Sequence, residues 1–184
     1  MFNKNKTYEQ HDNEKISFYR NSVEDLNSQD YLLADINVDI CVIGGGLTGI
    51  STALNLSKKG YSVVLCEARK IGWGASGRNG GQLGIGMRKD QYTVEKMLGL
   101  SHAKELWKLG LESVDEVKTL IKEYNINCHL VNGIMSSACF PKDIDEFKFE
   151  LEYMSKNYNS DGYKFFNSSE IKNEINSDTY LAGL

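Results

Sequence analysis

Proline is all but missing from this chain. Pro141 is the only one among 184 residues, which excludes a Pro-rich spacer. Histidine is nearly as scarce: His11, His102 and His129 are scattered, with no pair at a metal-ligand spacing, so no metal site is expected. The four cysteines, Cys41, Cys66, Cys128 and Cys139, form no C-x-x-C pair. Core thiols in a reducing compartment are therefore expected, not disulfides or metal ligands. Cys41 and Cys66 fall in two predicted neighbouring strands, where a thiol behaves as a small buried hydrophobe. Positive charge is not in excess either. With 21 Lys and Arg against 25 Asp and Glu, the net charge of −4 gives no basis for binding nucleic acid or an anionic membrane surface. The first fifteen residues, MFNKNKTYEQHDNEK, have no apolar core of a signal peptide, and a cytoplasmic location is the default expectation. A hydrophobic share of 41% and a charged share of 25% are ordinary for a globular protein of one or two domains.

Glycine, by contrast, is concentrated. An apolar run from Val38 to Ile43 breaks into Gly44-Gly45-Gly46-Leu47-Thr48-Gly49, which satisfies G-x-G-x-x-G. A helical pattern follows to Lys59, then Gly60, then a β-branched run from Tyr61 to Cys66 that ends at Glu67. Strand, glycine turn, helix, strand and acid in that order make a dinucleotide-binding unit. Gly44 suits the tight turn out of the strand, Gly46 lets a pyrophosphate approach the backbone, and Gly49 lets the helix lie close to the sheet. The helix start offers orphan N–H groups and a partial positive charge to phosphates. Glu67, eighteen residues past Gly49, can accept from ribose hydroxyls and would repel a 2′-phosphate, which disfavours NADP. Val38 to Leu56 is long enough for a membrane span, but Asp39, Asn55, the glycines and several Ser and Thr exclude one.

A nicotinamide enzyme would continue from Glu67 into another helix-forming stretch. Here the chain runs Ile71-Gly72-Trp73-Gly74-Ala75-Ser76-Gly77-Arg78-Asn79-Gly80-Gly81-Gln82, too glycine-rich for an ordinary helix. A long loop of small residues suits close backbone approach to a large, flat ligand portion, and a plain surface loop is the alternative.

The remainder reads as alternating elements. Phe18, Tyr19, Tyr31, Leu32 and Leu33 are expected to dock residues 1–37 on the domain, with the first dozen residues disordered. Leu47, Ile50 and Leu54 mark the buried face of the first long helix. Asp90 to about Tyr124 is helical with a break near Gly99–Ser101, Ser101 capping the second piece. Leu106, Leu109, Val114, Val117 and Ile121 form its core stripe, Trp107 flanks it, and His102 is a solvated or capping residue. Cys128 to Phe140 predicts two short strands around Asn132-Gly133, as a hairpin or with a bulge at Gly133. Lys142 to Tyr158 is an amphipathic helix with Ile144, Phe147, Leu151 and Met154 on one side. Tyr163 to Phe166 predicts a strand, Asn167 with Glu170 a helix start, and Tyr180 to Leu184 a further apolar element.

The string ICVIGGGLTGISTALNLSKKGYSVVLCEARKIGWGASGRNGGQL resembles the N-terminal signature of the D-amino-acid-oxidase-like flavoproteins and, more narrowly, the gamma-glutamylputrescine oxidoreductases. GASGRNGGQ is its specific part; the βαβ unit alone would fit many flavoproteins. The resemblance implies an α/β fold: a Rossmann-like FAD-binding βαβ domain followed by the start of an α+β substrate domain. The expected division is 1–37 extension, 38–86 FAD-binding unit with its flavin loop, and 87–184 helical segment and incomplete substrate domain. Relatives run roughly twice as far, so the chain is expected to match their N-terminal part.

FAD is the cofactor implied, bound non-covalently because this loop lacks the histidine that tethers flavin in some relatives. The residues carried over to the cofactor are Gly44, Gly45, Gly46, Thr48 and Gly49 on the pyrophosphate and Glu67 on the ribose. Ala68 and Arg69, with Lys70 as the alternative to Arg69, fall beside the adenine or a phosphate. Ser76, Arg78 and Asn79 fall on phosphate or ribityl oxygens, and Gly80, Gly81 and Gln82 nearest the ring. Arg78 has a second reading as a loop-stabilising ion pair. The implied reaction oxidises the C–N bond of a small amine by hydride transfer to flavin N5, with imine hydrolysis and dioxygen as acceptor. No nucleic acid or membrane partner is implied, and no catalytic acid or base can be named. Two alternatives stay open: an inactive FAD-binding fragment, and an oxidase of glycine, sarcosine or another amino acid.

Overall fold

A computed structural model describes residues 17–22 and 31–184. They fall into two compact units, the first ending at Gly81 and the second beginning at Gln82. The expected disorder of the first dozen residues lies outside the described residues.

In the first unit, β1 (Ile40–Ile43), α2 (Leu47–Lys58) and β2 (Val63–Cys66) follow a short helix α1 (Phe18–Ser22). The strands pair in parallel, with Ile40 opposite Val63 and Ile43 opposite Cys66, as a helical crossover requires. A clasp fixes this register where the strands begin. Asp39 Oδ2 accepts the Ser62 N–H at 2.9 Å and its hydroxyl at 2.6 Å, while Ser62 Oγ accepts the Asp39 N–H at 2.9 Å. These bonds hold the Asp39 carboxyl below its ordinary range.

The end of α2 follows its sequence signals. Gly60, at φ +90°, donates to Ser57 O at 2.9 Å and Tyr61 donates to Leu56 O at 3.3 Å, the paired bonds of a Schellman stop. Its packing face differs from expectation. Leu47 is 69% exposed and Ile50 40%, while Gly49, Ala53, Leu54 and Leu56 are the half-covered positions. Small residues decide this: a Cβ on Gly49 would lie 1.9 Å from Gly44 O, so only glycine lets the helix close on the strand. Cys41 is exposed and Cys66 only partly covered, which corrects the expectation of core thiols. Phe18, Tyr31, Leu32 and Leu33 are likewise exposed, from 61% to 91%. Tyr19 is 37% exposed, and a Cβ on Gly81 would lie 2.4 Å from its hydroxyl.

The second unit holds α3 (Gln91–Leu98), α4 (Leu100–Glu123), β3 (Ser137–Ala138), α5 (Pro141–Tyr158), α6 (Ser168–Ile175) and β4 (Ala182–Gly183). Asp90 caps α3 by accepting the Thr93 N–H at 2.8 Å. Gly99, at φ +80°, both closes α3 and opens α4, so Ser101 lies inside the helix and is not its cap. His102 is exposed, one ring nitrogen 3.2 Å from Leu98 O.

The buried seam of α4 is Ala103, Trp107, Gly110 and Val114. Leu109 is 56% exposed and Val117 38%, and Trp107 is central, not flanking. Gly110 again sets the face, because a Cβ there would stand 2.4 Å from Ile85 O. Trp107 meets Tyr158 edge to face at 5.4 Å. Glu95 joins α3 to α5, accepting from the Tyr153 and Tyr158 hydroxyls at 2.5 Å each.

On α5, Met154 is buried and Ile144, Phe147 and Leu151 are half-covered, as their spacing predicts. No hairpin forms around Asn132-Gly133. β3 pairs instead with β4, antiparallel, Ser137 opposite Gly183. On its other side Gly183 exchanges backbone bonds with Phe166 at 2.8 and 2.9 Å, so the expected strand at 163–166 shrinks to one bridge. Ile171, fully buried, packs on Gly183 beside Met135. Asn167 and Glu170 form the expected capping box at the start of α6. Among the described residues no helix is long and apolar enough to cross a membrane, and no cluster of three His, Cys, Asp or Glu could hold a metal ion.

Candidate cofactor-binding site

β1 ends in a glycine crook. Gly44 takes φ +104°, a left-handed turn that disfavours any side chain, and donates to Cys66 O at 2.8 Å. Gly45 is buried, and a Cβ on it would lie 2.4 Å from Ile71 Cδ1 and 3.2 Å from Glu67 Oε2. Gly46 is the N-cap of α2 and has no side chain to satisfy the helix's first N–H groups. Thr48 and Gly49 complete the first turn.

Glu67, one residue past β2, faces this crook. Its Oε2 accepts the Gly45 N–H at 2.6 Å and its Oε1 the Arg69 N–H at 2.9 Å. Those backbone bonds, Gly45 first, hold its carboxyl below the ordinary range. A carboxylate offers about four acceptor positions, so capacity remains for hydroxyl donors.

The glycine loop returns to the same place. Gly72 donates to Gly45 O at 2.9 Å, and Ser76 Oγ accepts the Leu47 N–H at 3.0 Å. A 3-10 turn over Ala75–Gly77 shapes the tip. Arg78 Nε donates to Trp73 O at 2.9 Å, and Asn79 both donates to Ser76 O at 2.9 Å and accepts the Gly81 N–H at 2.8 Å.

Ser76 thus stands at the crook, while Arg78 and Asn79 bind within the loop. Ala68, Gly80 and Gly81 are exposed in the first unit, and Gln82 is exposed at the start of the second. Trp73 was not singled out from sequence. The Arg69 guanidinium lies 3.5 Å and that of Arg78 4.9 Å from its ring centroid. Arginines four residues before and five after a tryptophan in a glycine loop were the available signal.

These residues suit a diphosphate. Gly44 holds a positive φ and a Cβ on Gly45 or Gly49 would clash, the helix start faces the crook with N–H donors, and four of the five Arg78 N–H groups lie beyond its bond to Trp73. A parallel βαβ unit with a glycine crook and an acid after its second strand is the arrangement found in dinucleotide-binding folds.

Residues 39–184 match the DAO family, described as FAD dependent oxidoreductase, and the chain belongs to that family. It is 34% identical over 168 residues to gamma-glutamylputrescine oxidoreductase of Escherichia coli K12, covering 91% of this chain and 39% of that protein. Identity to the probable oxidoreductase OrdL of Haemophilus influenzae is 33%, covering 87% of this chain and 38% of that one. The chain thus spans about two fifths of the length of these curated relatives.

Among solved structures, L-amino acid deaminase from Proteus vulgaris superposes with TM-score 0.57 at 22% identity, over 86% of this chain and 35% of that one. Glycine oxidase from Bacillus cereus gives 0.53 at 19%, over 80% and 38%. At these identities the structures speak to the fold alone, and they agree with the α/β class.

Proposed function

We propose that this chain binds FAD without a covalent link and serves the oxidation of the C–N bond of a primary or secondary amine of the gamma-glutamylputrescine type. One observation carries the reading: the buried Gly45 amide is held by Glu67 directly beside an α-helix start whose N-cap has no side chain. That arrangement fixes the crook while leaving donors for phosphate.

Gly46, Thr48 and Gly49 would hold the diphosphate through backbone N–H groups, while Gly44 and Gly45, whose N–H groups are held by Cys66 O and Glu67 Oε2, would shape the crook it lies against. Glu67 would accept from the ribose through its remaining lone pairs, with Ala68 and Arg69, or Lys70 in its place, beside the adenine or a phosphate. Ser76, Arg78 and Asn79 would serve phosphate or ribityl oxygens, and Gly80, Gly81 and Gln82 would pass nearest the ring. When bound, FAD supplies a two-electron acceptor at flavin N5 and a route for electrons to dioxygen. The residues of this chain bind and orient; none of them is assigned a proton transfer. A cytoplasmic setting belongs to the same reading.

A second reading follows from the 39% span of the relative: these 184 residues bind FAD without turning over substrate alone. The visible spectrum of the purified chain decides the first point. Flavin bands near about 370 and 450 nm that survive gel filtration support FAD binding; a colourless, folded protein refutes it. Peroxide release with gamma-glutamylputrescine, and not with glycine or sarcosine, then supports the amine assignment. Bound flavin without release supports the second reading.

A further inference from the structure

The first turn of α2 borrows its cap. Its own N-cap is Gly46, which has no side chain, and the Leu47 N–H is satisfied instead by Ser76 Oγ at 3.0 Å, from 29 residues further along the chain. The hydroxyl sits directly on the crook, since a Cβ on Gly46 would lie 3.0 Å from Ser76 Oγ.

The segment carrying Ser76 is braced as one piece. Arg78 holds the Trp73 carbonyl, Asn79 holds Ser76 O and the Gly81 N–H, and Gly77 packs so tightly that a Cβ would meet Gly72 O at 2.3 Å. Both ends of the piece are glycines with positive φ, Gly72 at +71° and Gly81 at +67°, positions able to absorb a backbone rotation. The contacts described between this piece and the crook are the Ser76 bond and the Gly72 N–H to Gly45 O bond at 2.9 Å. The second lies beside one of those glycines.

We propose that Ser76 is an exchangeable latch. Its hydroxyl occupies the Leu47 N–H until a diphosphate arrives on the crook, and release lets the braced loop turn about Gly72 and Gly81 as the cofactor seats. The inference rests on the FAD reading. It makes Ser76 a positioning residue whose effect falls on how fast the cofactor enters. A latched apo chain lowers the binding-competent fraction, and removing the latch raises it.

The test uses the full chain with FAD, comparing wild type, Ser76→Ala and Ser76→Thr. Amide exchange at Leu47 is followed without cofactor, and FAD association by stopped-flow flavin fluorescence. Ser76→Ala is expected to speed both by roughly two- to tenfold, the range of one net hydrogen bond. Ser76→Thr, which keeps the hydroxyl, should restore both. Riboflavin, lacking the diphosphate, should leave Leu47 exchange in the wild type unchanged, whereas FAD should alter it.

A chain that takes up FAD with Leu47 exchange and association unaltered in Ser76→Ala overturns the latch alone. So does slower association in that variant, which would leave Ser76 only the phosphate or ribityl contact proposed above. A wild type that takes up no FAD overturns the cofactor assignment and the latch with it.

Discussion

Glu67 Oε2 lies 2.6 Å from the Gly45 amide nitrogen, tying the residue after β2 to the turn that leaves β1. The acid therefore supports the crook as well as facing it. Glu67→Gln removes the charge that strengthens this bond, and charge-assisted bonds contribute about 1.5–3 kcal/mol. FAD affinity should fall about tenfold or more by fluorescence titration, and thermal stability should fall with it. Unchanged affinity would remove Glu67 from the site.

The same carboxylate predicts an acid dependence. Its pKa is lowered on folding, chiefly by the Gly45 N–H and then the Arg69 N–H. Its stabilising contribution is therefore present above the ordinary carboxylate range and lost as pH falls through the folded value. Melting temperature should decline on acidification less steeply in Glu67→Gln than in wild type.

Tyr153 supplies the opposite sign in the second unit. Its bond to Glu95 pushes the phenol up to about 12. Its contribution is complete below the ordinary phenol pKa of about 10 and is lost as pH rises toward the folded value. Tyr153→Phe should cost about 1–2 kcal/mol at neutral pH, and the gap from wild type should close in melts above about pH 10.

Two glycines one loop apart should behave unlike each other. Gly49→Ala places a Cβ 1.9 Å from a backbone oxygen, whereas Gly74→Ala meets nothing within 4 Å. The first should cost more than about 2 kcal/mol and abolish FAD uptake. The second should stay within about 0.5 kcal/mol. Chemical denaturation and flavin retention read both.

On α4, Trp107→Ala should destabilise by about 3–5 kcal/mol, while Leu109→Ser, at a position 56% exposed, should stay within about 0.5 kcal/mol. Equal losses would contradict the observed seam.

The α4 result shows where reading the sequence stopped short. Helical spacing placed Leu106, Leu109, Val114, Val117 and Ile121 on a stripe; Val114 is buried and Leu106 and Ile121 are half-covered, but apolar period alone cannot choose between two seams on one helix. Gly110 against Ile85 O and Trp107 against Tyr158 made the choice. The hairpin expected at Asn132-Gly133 failed for a related reason. β3 found its partner 45 residues away, in β4, and turn chemistry carries no information about such distant pairings. Two end signals were legible, Asn167 with Glu170 and Gly60, because they act within a few residues of themselves; the cap expected at Ser101 was not, since Gly99 takes that place.

Sequence alone determined the βαβ unit, its glycine crook, the acid after the second strand and the family, because each rests on fixed local spacings that backbone sterics enforce. Only the tertiary structure decided which helix faces are covered, that Glu67 grips Gly45, and that Ser76 caps α2 from a distant loop. Those facts depend on which atoms approach one another across long stretches of chain, and there close packing and unpaired N–H groups select the partner.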